Sequence, residues 1–120
     1  MVTAPILLVD DLEENLLALE ALLRRDDAAL LTARSGRQAL EVLLENEVAL
    51  AIIDAQMPEL DGFELIARLR KDDRFKTTPI VIITSRANPE HRRRARDLGV
   101  RALVAKPITR RKLLEALATR

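Results

Sequence analysis

An α/β fold built on a doubly wound, five-stranded parallel sheet with five helices is what this sequence predicts, from three observations. Five short apolar runs alternate with five longer segments of helical periodicity. The strongest runs, 48–53 and 80–83, are apolar at every position, as strands covered on both faces are. Four of the five runs end in polar or charged residues, which a parallel sheet would collect along one edge. At 120 residues the chain can build one core but not two, so residues 1–120 are expected to form a single domain.

In chain order, Ile6-Leu7-Leu8-Val9 follows Pro5 and runs into Asp10-Asp11, which gives the first strand. A helix over residues 13–25 comes next, with Leu12, Leu16, Leu19 and Leu23 at helical spacing and Leu17 and Leu22 widening the stripe. Asp11 or a neighbour is placed to cap that helix, and Glu13 and Glu14 suit its positive end. Residues 29–33 form a weaker second strand, assigned from their place between two helices. Ser35-Gly36 opens a second helix carrying Ala39, Leu40, Leu43 and Leu44 on one face.

The third strand is Val48-Ala49-Leu50-Ala51-Ile52-Ile53, which delivers Asp54 before Pro58 bars its continuation. Glu59-Leu60-Asp61-Gly62 reads as a turn, with Asp-Gly supplying the reversal. A third helix then puts Leu65, Ile66 and Leu69 inward and Arg68, Arg70 and Lys71 outward. The fourth strand begins at Pro79 and ends at Thr84. Asn88-Pro89 starts a fourth helix as cap and first helical residue, and Gly99 stops it. Ala102-Leu103-Val104-Ala105 is the fifth strand and leads into Lys106-Pro107. Thr109 caps a last helix with Leu113, Leu114 and Leu117 on its core face.

Composition removes several kinds of chemistry. The chain has no cysteine, so disulfides, thiol catalysis and Cys-based zinc sites are excluded. It lacks Trp and Tyr and has two Phe, which leaves almost nothing for stacking on nucleic acid bases. No apolar run is long enough to cross a membrane. The net charge of +1 is uninformative, but its distribution is not. Residues 1–85 carry 9 Lys/Arg against 16 Asp/Glu, and residues 86–120 carry 11 against 3, which suggests an acidic site built early and a basic surface built late.

The strand ends bring Asp10-Asp11, Asp54, Thr84-Ser85 and Lys106 to one edge. Three carboxylates so close together need a counter-charge to stay ionised. Few hard oxygen ligands with open positions suit Mg²⁺ better than a closed calcium cage. A lysine and a hydroxyl beside them make the site fit to receive a phosphoryl group, with Asp54 as the in-line nucleophile. An acidic pair after a strand is by itself more often a helix cap than a metal site. The convergence of Asp54 and Lys106 on the same edge favours the site.

The motifs Leu7-Leu8-Val9-Asp10-Asp11, Asp54-Ala55-Gln56-Met57-Pro58, Asp61-Gly62-Phe63-Glu64, Thr84-Ser85 and Lys106-Pro107 span the chain in order. In these the sequence resembles the receiver domain of two-component response regulators. The resemblance implies a flavodoxin-like sheet of order 2-1-3-4-5 and a cytoplasmic signalling switch that is not an enzyme. Asp54 would be the phosphoacceptor, taking its phosphoryl group from a phosphohistidine on a sensor histidine kinase or a histidine phosphotransfer protein, with slow self-dephosphorylation. Mg²⁺ would be held by Asp11, Asp54 and the main-chain carbonyl of Gln56, with Asp10 helping through water. Thr84 would turn toward the phosphoryl group, Lys106 would be its ion-pair partner, and the bond before Pro107 is expected to be cis. Gln56 and Arg86 would border the site.

The chain departs from the family pattern at Leu103, where most members carry the Tyr or Phe whose rotamer follows activation. The fourth helix, rich in arginine, is expected to be the most weakly held. His91 and the run Arg92-Arg93-Arg94 are expected to face solvent, the run serving otherwise as a contact for an acidic partner or for a homodimer through the fourth helix, fifth strand and fifth helix. Direct nucleic acid binding is not expected. Two other functions fit parts of the pattern. An aspartyl-phosphate phosphohydrolase would need a carboxylate two residues after Asp54, where Gln56 stands. An engineered or consensus-like receiver scaffold would suit the uniform palette of 22 Leu and 17 Ala.

Overall fold

The structure, a computed structural model, describes residues 4–23 and 29–118. Its ten elements are β1 (Ile6–Val9), α1 (Glu13–Leu23), β2 (Leu30–Ala33), α2 (Gly36–Glu45), β3 (Leu50–Asp54), α3 (Gly62–Arg70), β4 (Ile80–Thr84), α4 (Pro89–Asp97), β5 (Ala102–Ala105) and α5 (Arg110–Ala118). The expected extension of the first helix to residue 25 lies outside the described residues. All four strand pairings are parallel, and the sheet runs β2-β1-β3-β4-β5. This is the doubly wound order expected of the chain.

Alternation along the strands divides the core between the two faces of the sheet. Leu7, Val9, Ala51, Ile53, Ile80 and Ile82 pack on one side with Ala39 and Leu43 of α2, Leu65, Ile66 and Leu69 of α3, and Ala95 of α4. Leu8, Leu50, Ile52, Val81 and Ile83 pack on the other with Leu16, Leu19 and Leu23 of α1 and Leu113 and Ala116 of α5. Every residue of β3 and β4 is buried, which explains why those runs show no polar alternation. A strand with helices on both sides has no wet face.

The helical stripes are narrower than the leucine content implies. Leu12, Leu17, Leu44 and Leu114 are exposed, while Ala39 and Ala116 hold core positions. Each exposed leucine of the helices adjoins a buried one, and one step along a helix turns the side chain by about 100° away from the sheet. Small alanines at the buried positions let α2 and α5 lie close to the strands.

Arg70 corrects the expected outward face of α3. Its guanidinium is half-buried and donates to five backbone carbonyls. Nε reaches Leu98 O at 2.8 Å and Nη2 reaches Gly99 O at 3.1 Å. Nη1 shares its two hydrogens among Phe75 O, Lys76 O and Thr78 O at 2.9–3.1 Å. These carbonyls belong to the segment before β4 and the turn after α4, so one side chain fastens two loops to each other and to α3. Arg70→Met keeps the apolar stem and removes all five bonds. It is expected to cost about 2 kcal/mol in urea unfolding, with faster amide exchange confined to residues 75–78 and 98–100. Arg70→Lys is expected to recover less than half of the loss, because an ammonium cannot span that fork.

Candidate functional site

Sheet order places the site. The chain passes outward from β1 to β2 and then returns across β1 to β3, so the crevice beyond the carboxyl ends of β1 and β3 is a topological switch point. Register sharpens this. Val9 lies opposite Ile53, so Asp10 and Asp54, each one residue further, leave adjacent strands side by side. Asp54 lies opposite Ile83, which sets Thr84 one step beyond it. Thr84 in turn pairs with Ala105, and Lys106 follows.

Carboxylate oxygens of Asp10, Asp11 and Asp54 lie within 4.8 Å of one another. Asp10 and Asp54 are buried to 3% and 4% exposure, and Asp11 is half-buried. Asp10 is oriented by Leu12 N–H, which donates to its Oδ1 at 3.0 Å, and by Asn15 Nδ2 at 3.4 Å. Asp10 thus closes the turn that leads into α1, and the Asp11 carboxylate is left to the crevice. The Arg34 guanidinium donates to Asp11 O at 3.2 Å and secures the loop from the far side.

Lys106 Nζ stands 3.3 Å from Asp54 Oδ1, but not in hydrogen-bond alignment, so this buried oxygen has a counter-charge and, among the described residues, no hydrogen-bond partner. Such an atom is costly unless something else arrives to use it. Three hard oxygen donors with an orphaned oxygen among them fit a small divalent cation such as Mg²⁺. The loop carrying Lys106 is held by Lys112 Nζ, which donates to Ala105 O at 3.0 Å and Pro107 O at 2.9 Å. The Lys106–Pro107 bond is cis, as expected.

Burial pushes the Asp54 carboxyl above its ordinary range, and the charge on Asp10 adds to the rise; Lys106 and the Gln56 amide work against it. Burial likewise raises Asp10, against the Leu12 and Asn15 hydrogen bonds.

Two local features were misread from sequence. The reversal after β3 comes from Glu59, whose φ is +67°, and not from Asp-Gly. Asp61 is instead the N-cap of α3, accepting Glu64 N–H at 2.8 Å while Glu64 Oε1 accepts Asp61 N–H at 3.2 Å. Gly62 is required for a different reason. A Cβ there would come within 2.3 Å of Asp54 O and 2.9 Å of Ala55 Cα. The bare glycine lets α3 begin directly against the backbone of the central acid, with Gly62 N–H on Ala55 O at 3.0 Å.

His91 is the second correction. It is half-buried, with Nδ1 at 3.3 Å from Thr84 Oγ1 and its ring edge-on to Phe63 at 5.0 Å. Thr84 is fully buried, and its Oγ1 also accepts Arg86 N–H at 2.9 Å. Gln56 and Arg86 are both exposed at the rim, where Gln56 Oε1 accepts the Ser85 hydroxyl. They line a cleft with Asp61, Phe63, His91 and Arg94. The position of His91 was legible in one respect, since the third residue of a helix starting soon after β4 lies back over the end of that strand.

Fold and site define a flavodoxin-like α/β domain with an acidic pocket and a facing lysine at the switch point. The chain belongs to the response regulator receiver domain family, whose profile matches residues 6–118. It is 32% identical over 114 residues to the sensory/regulatory protein RpfC of Xanthomonas campestris, covering 93% of this chain but only 16% of that protein's length. It is 35% identical to the two-component response regulator ORR3 of Oryza sativa, covering 86% of this chain and 79% of ORR3. Among solved structures, the chemotaxis protein CheY4 of Vibrio cholerae superposes with a TM-score of 0.88 at 29% identity, covering 96% of each chain. The family is one of signalling switches in two-component systems, not of typical enzymes. Among the described residues no helix is long and apolar enough to cross a membrane.

Because folding raises both carboxyls above their ordinary value of 3.8, the contribution of these two groups to stability is fullest below that value and is lost as pH rises through the raised ones. Asp54→Asn removes one of the two contributions. Without divalent cations it is expected to stabilise the fold at pH 7 by on the order of 1 kcal/mol and to flatten the decline. Urea melts between pH 3 and 8 read this directly; a variant less stable than the native chain at pH 7 would mean that the Lys106 pair outweighs burial and repulsion.

Proposed function

We propose that the domain is a phosphorylatable switch in which Asp54 accepts a phosphoryl group from a phosphohistidine on a partner histidine kinase or histidine phosphotransfer protein. The observation that carries this reading is the buried Asp54 Oδ1, beside an acidic pair, which has the Lys106 ammonium as counter-charge but no hydrogen bond among the described residues. Asp54 must be ionised to attack. Its burial works against that, and Lys106 works for it. The attack forms a bond from the Asp54 oxygen to phosphorus and breaks the N–P bond, and the departing imidazole keeps the electron pair and takes a proton from solvent. Lys106 then pairs with the added negative charge, and Thr84 is near enough in register to donate to a phosphoryl oxygen.

Asp11, Asp54 and the Gln56 main-chain carbonyl would hold Mg²⁺, with Asp10 acting through water. When bound, the ion supplies charge neutralisation for the incoming phosphoryl oxygens. Asp10 and its partners Leu12 and Asn15 keep the pocket's geometry. Gln56 is engaged by Ser85 and has no carboxyl to act as acid or base, so a phosphohydrolase lacks its second group. Slow loss of the phosphoryl group to water is the expected exit.

The test is a Mg²⁺ titration of the isotope-labelled protein with and without beryllofluoride, a phosphoryl mimic. Amide signals of Asp54, Thr84 and Lys106 are expected to shift with both ligands present and to stay fixed in Asp54→Ala. Lys106→Ala is expected to weaken beryllofluoride binding about tenfold or more, as loss of a partly buried charge pair does. Sedimentation of the same samples reads dimerisation through α4, β5 and α5. An unresponsive native protein would falsify the switch and leave a scaffold on this fold.

A further inference from the structure

We infer that His91 is a positioning residue for Thr84, holding its hydroxyl away from Asp54 until a phosphoryl group competes for it; this rests on the phosphoacceptor reading of Asp54. The Thr84 hydroxyl is fully buried and has one hydrogen to give. Arg86 N–H occupies one of its lone pairs at 2.9 Å, and the remaining approach is toward His91 Nδ1 at 3.3 Å. The orphaned Asp54 Oδ1 receives nothing from it. With Nδ1 as the unprotonated ring nitrogen of His91, it accepts the Thr84 hydrogen, and the hydroxyl is committed to the α4 side of the strand end.

His91 is held both at its backbone and at its ring. Its backbone N–H is tied to the N-cap, donating to Asn88 Oδ1 at 2.8 Å. Its ring meets the edge of buried Phe63, and Phe63 carries the Arg94 guanidinium 4.3 Å from its ring centre on the next turn of α4. Phe63 in turn follows Gly62, whose backbone touches Asp54 O. The start of α3, the start of α4 and the ends of β3 and β4 thus meet around one imidazole. Ala95 is the sole buried residue of α4, so the polar contact at His91 is a large share of what holds the amino end of that helix to the sheet. Leu103, half-buried in β5 against the core, has no polar atom with which to take that part.

A phosphoryl oxygen on Asp54 would draw the Thr84 hydroxyl and release His91. The opposing hydrogen bond therefore disfavours the activated arrangement, and removing it favours that arrangement. His91→Phe keeps the ring against Phe63 and deletes the nitrogen. It is expected to tighten beryllofluoride binding in the presence of Mg²⁺ by about fivefold, the equivalent of one ordinary hydrogen bond. His91→Gln, which restores a polar end, is expected to return affinity toward the native value. In the unsubstituted protein, the Nδ1 resonance of His91 is expected to shift when beryllofluoride binds and to stay put with Mg²⁺ alone. If native protein binds beryllofluoride while the His91 resonance is unmoved and His91→Phe matches native affinity, the inference is wrong and the switch stands. If native protein does not bind the mimic at all, the phosphoacceptor reading fails first.

Discussion

The crowding of negative charge at the end of β3 is the constraint to which the rest of the structure answers. Asp54 is carried to the crevice by the four buried residues Leu50–Ile53 and arrives beside Asp10 and Asp11, with the Lys106 ammonium to compensate. A fold organised only for stability would not place three carboxylates together where desolvation and a neighbouring negative charge raise the protonation range of two of them, Asp10 and Asp54. The surrounding elements supply the restraint. Leu12 and Asn15 hold Asp10, the glycine at the start of α3 admits that helix against Asp54, and Lys112 steadies the loop that presents Lys106.

How much of this could be seen in the sequence depended on what kind of force made each feature. Strands buried on both faces announce themselves by unbroken hydrophobicity, so β3 and β4 were legible directly, whereas the half-exposed β2 was legible only from its place between two helices. Also legible were the Asn88 cap, the Gly99 stop at φ +66° and the Thr109 cap, because those depend on neighbours within a few residues. The leucines at 12, 17, 44 and 114 misled, since composition counts apolar residues and does not say which way they point.

Features made by long-range contacts were hidden. Arg70 looks like any surface arginine on an amphipathic helix, and its acceptors lie on loops up to 29 residues away. Gly62 looks like a turn glycine because it follows Asp, whereas its lack of a side chain is spent on contact with the strand before it. His91 sits in the most basic stretch of the chain, and a run of arginines reads as solvated even when one face of it meets Phe63 and Thr84. In each case the missing information was the partner, not the residue.

The Arg70 fork has a mechanical meaning for α4. It grips Leu98 O and Gly99 O, the carboxyl end of that helix, and binds them to α3 and to the segment leading into β4. The amino end rests on Asn88, His91 and little apolar area. A rod clamped at one end and lightly latched at the other does not slide; it pivots. Motion originating at Thr84 would appear as a swing of the first turn of α4 about a fulcrum at Leu98–Gly99, with the greatest displacement near the acidic pocket at the end of β3 and the least where the helix joins β5.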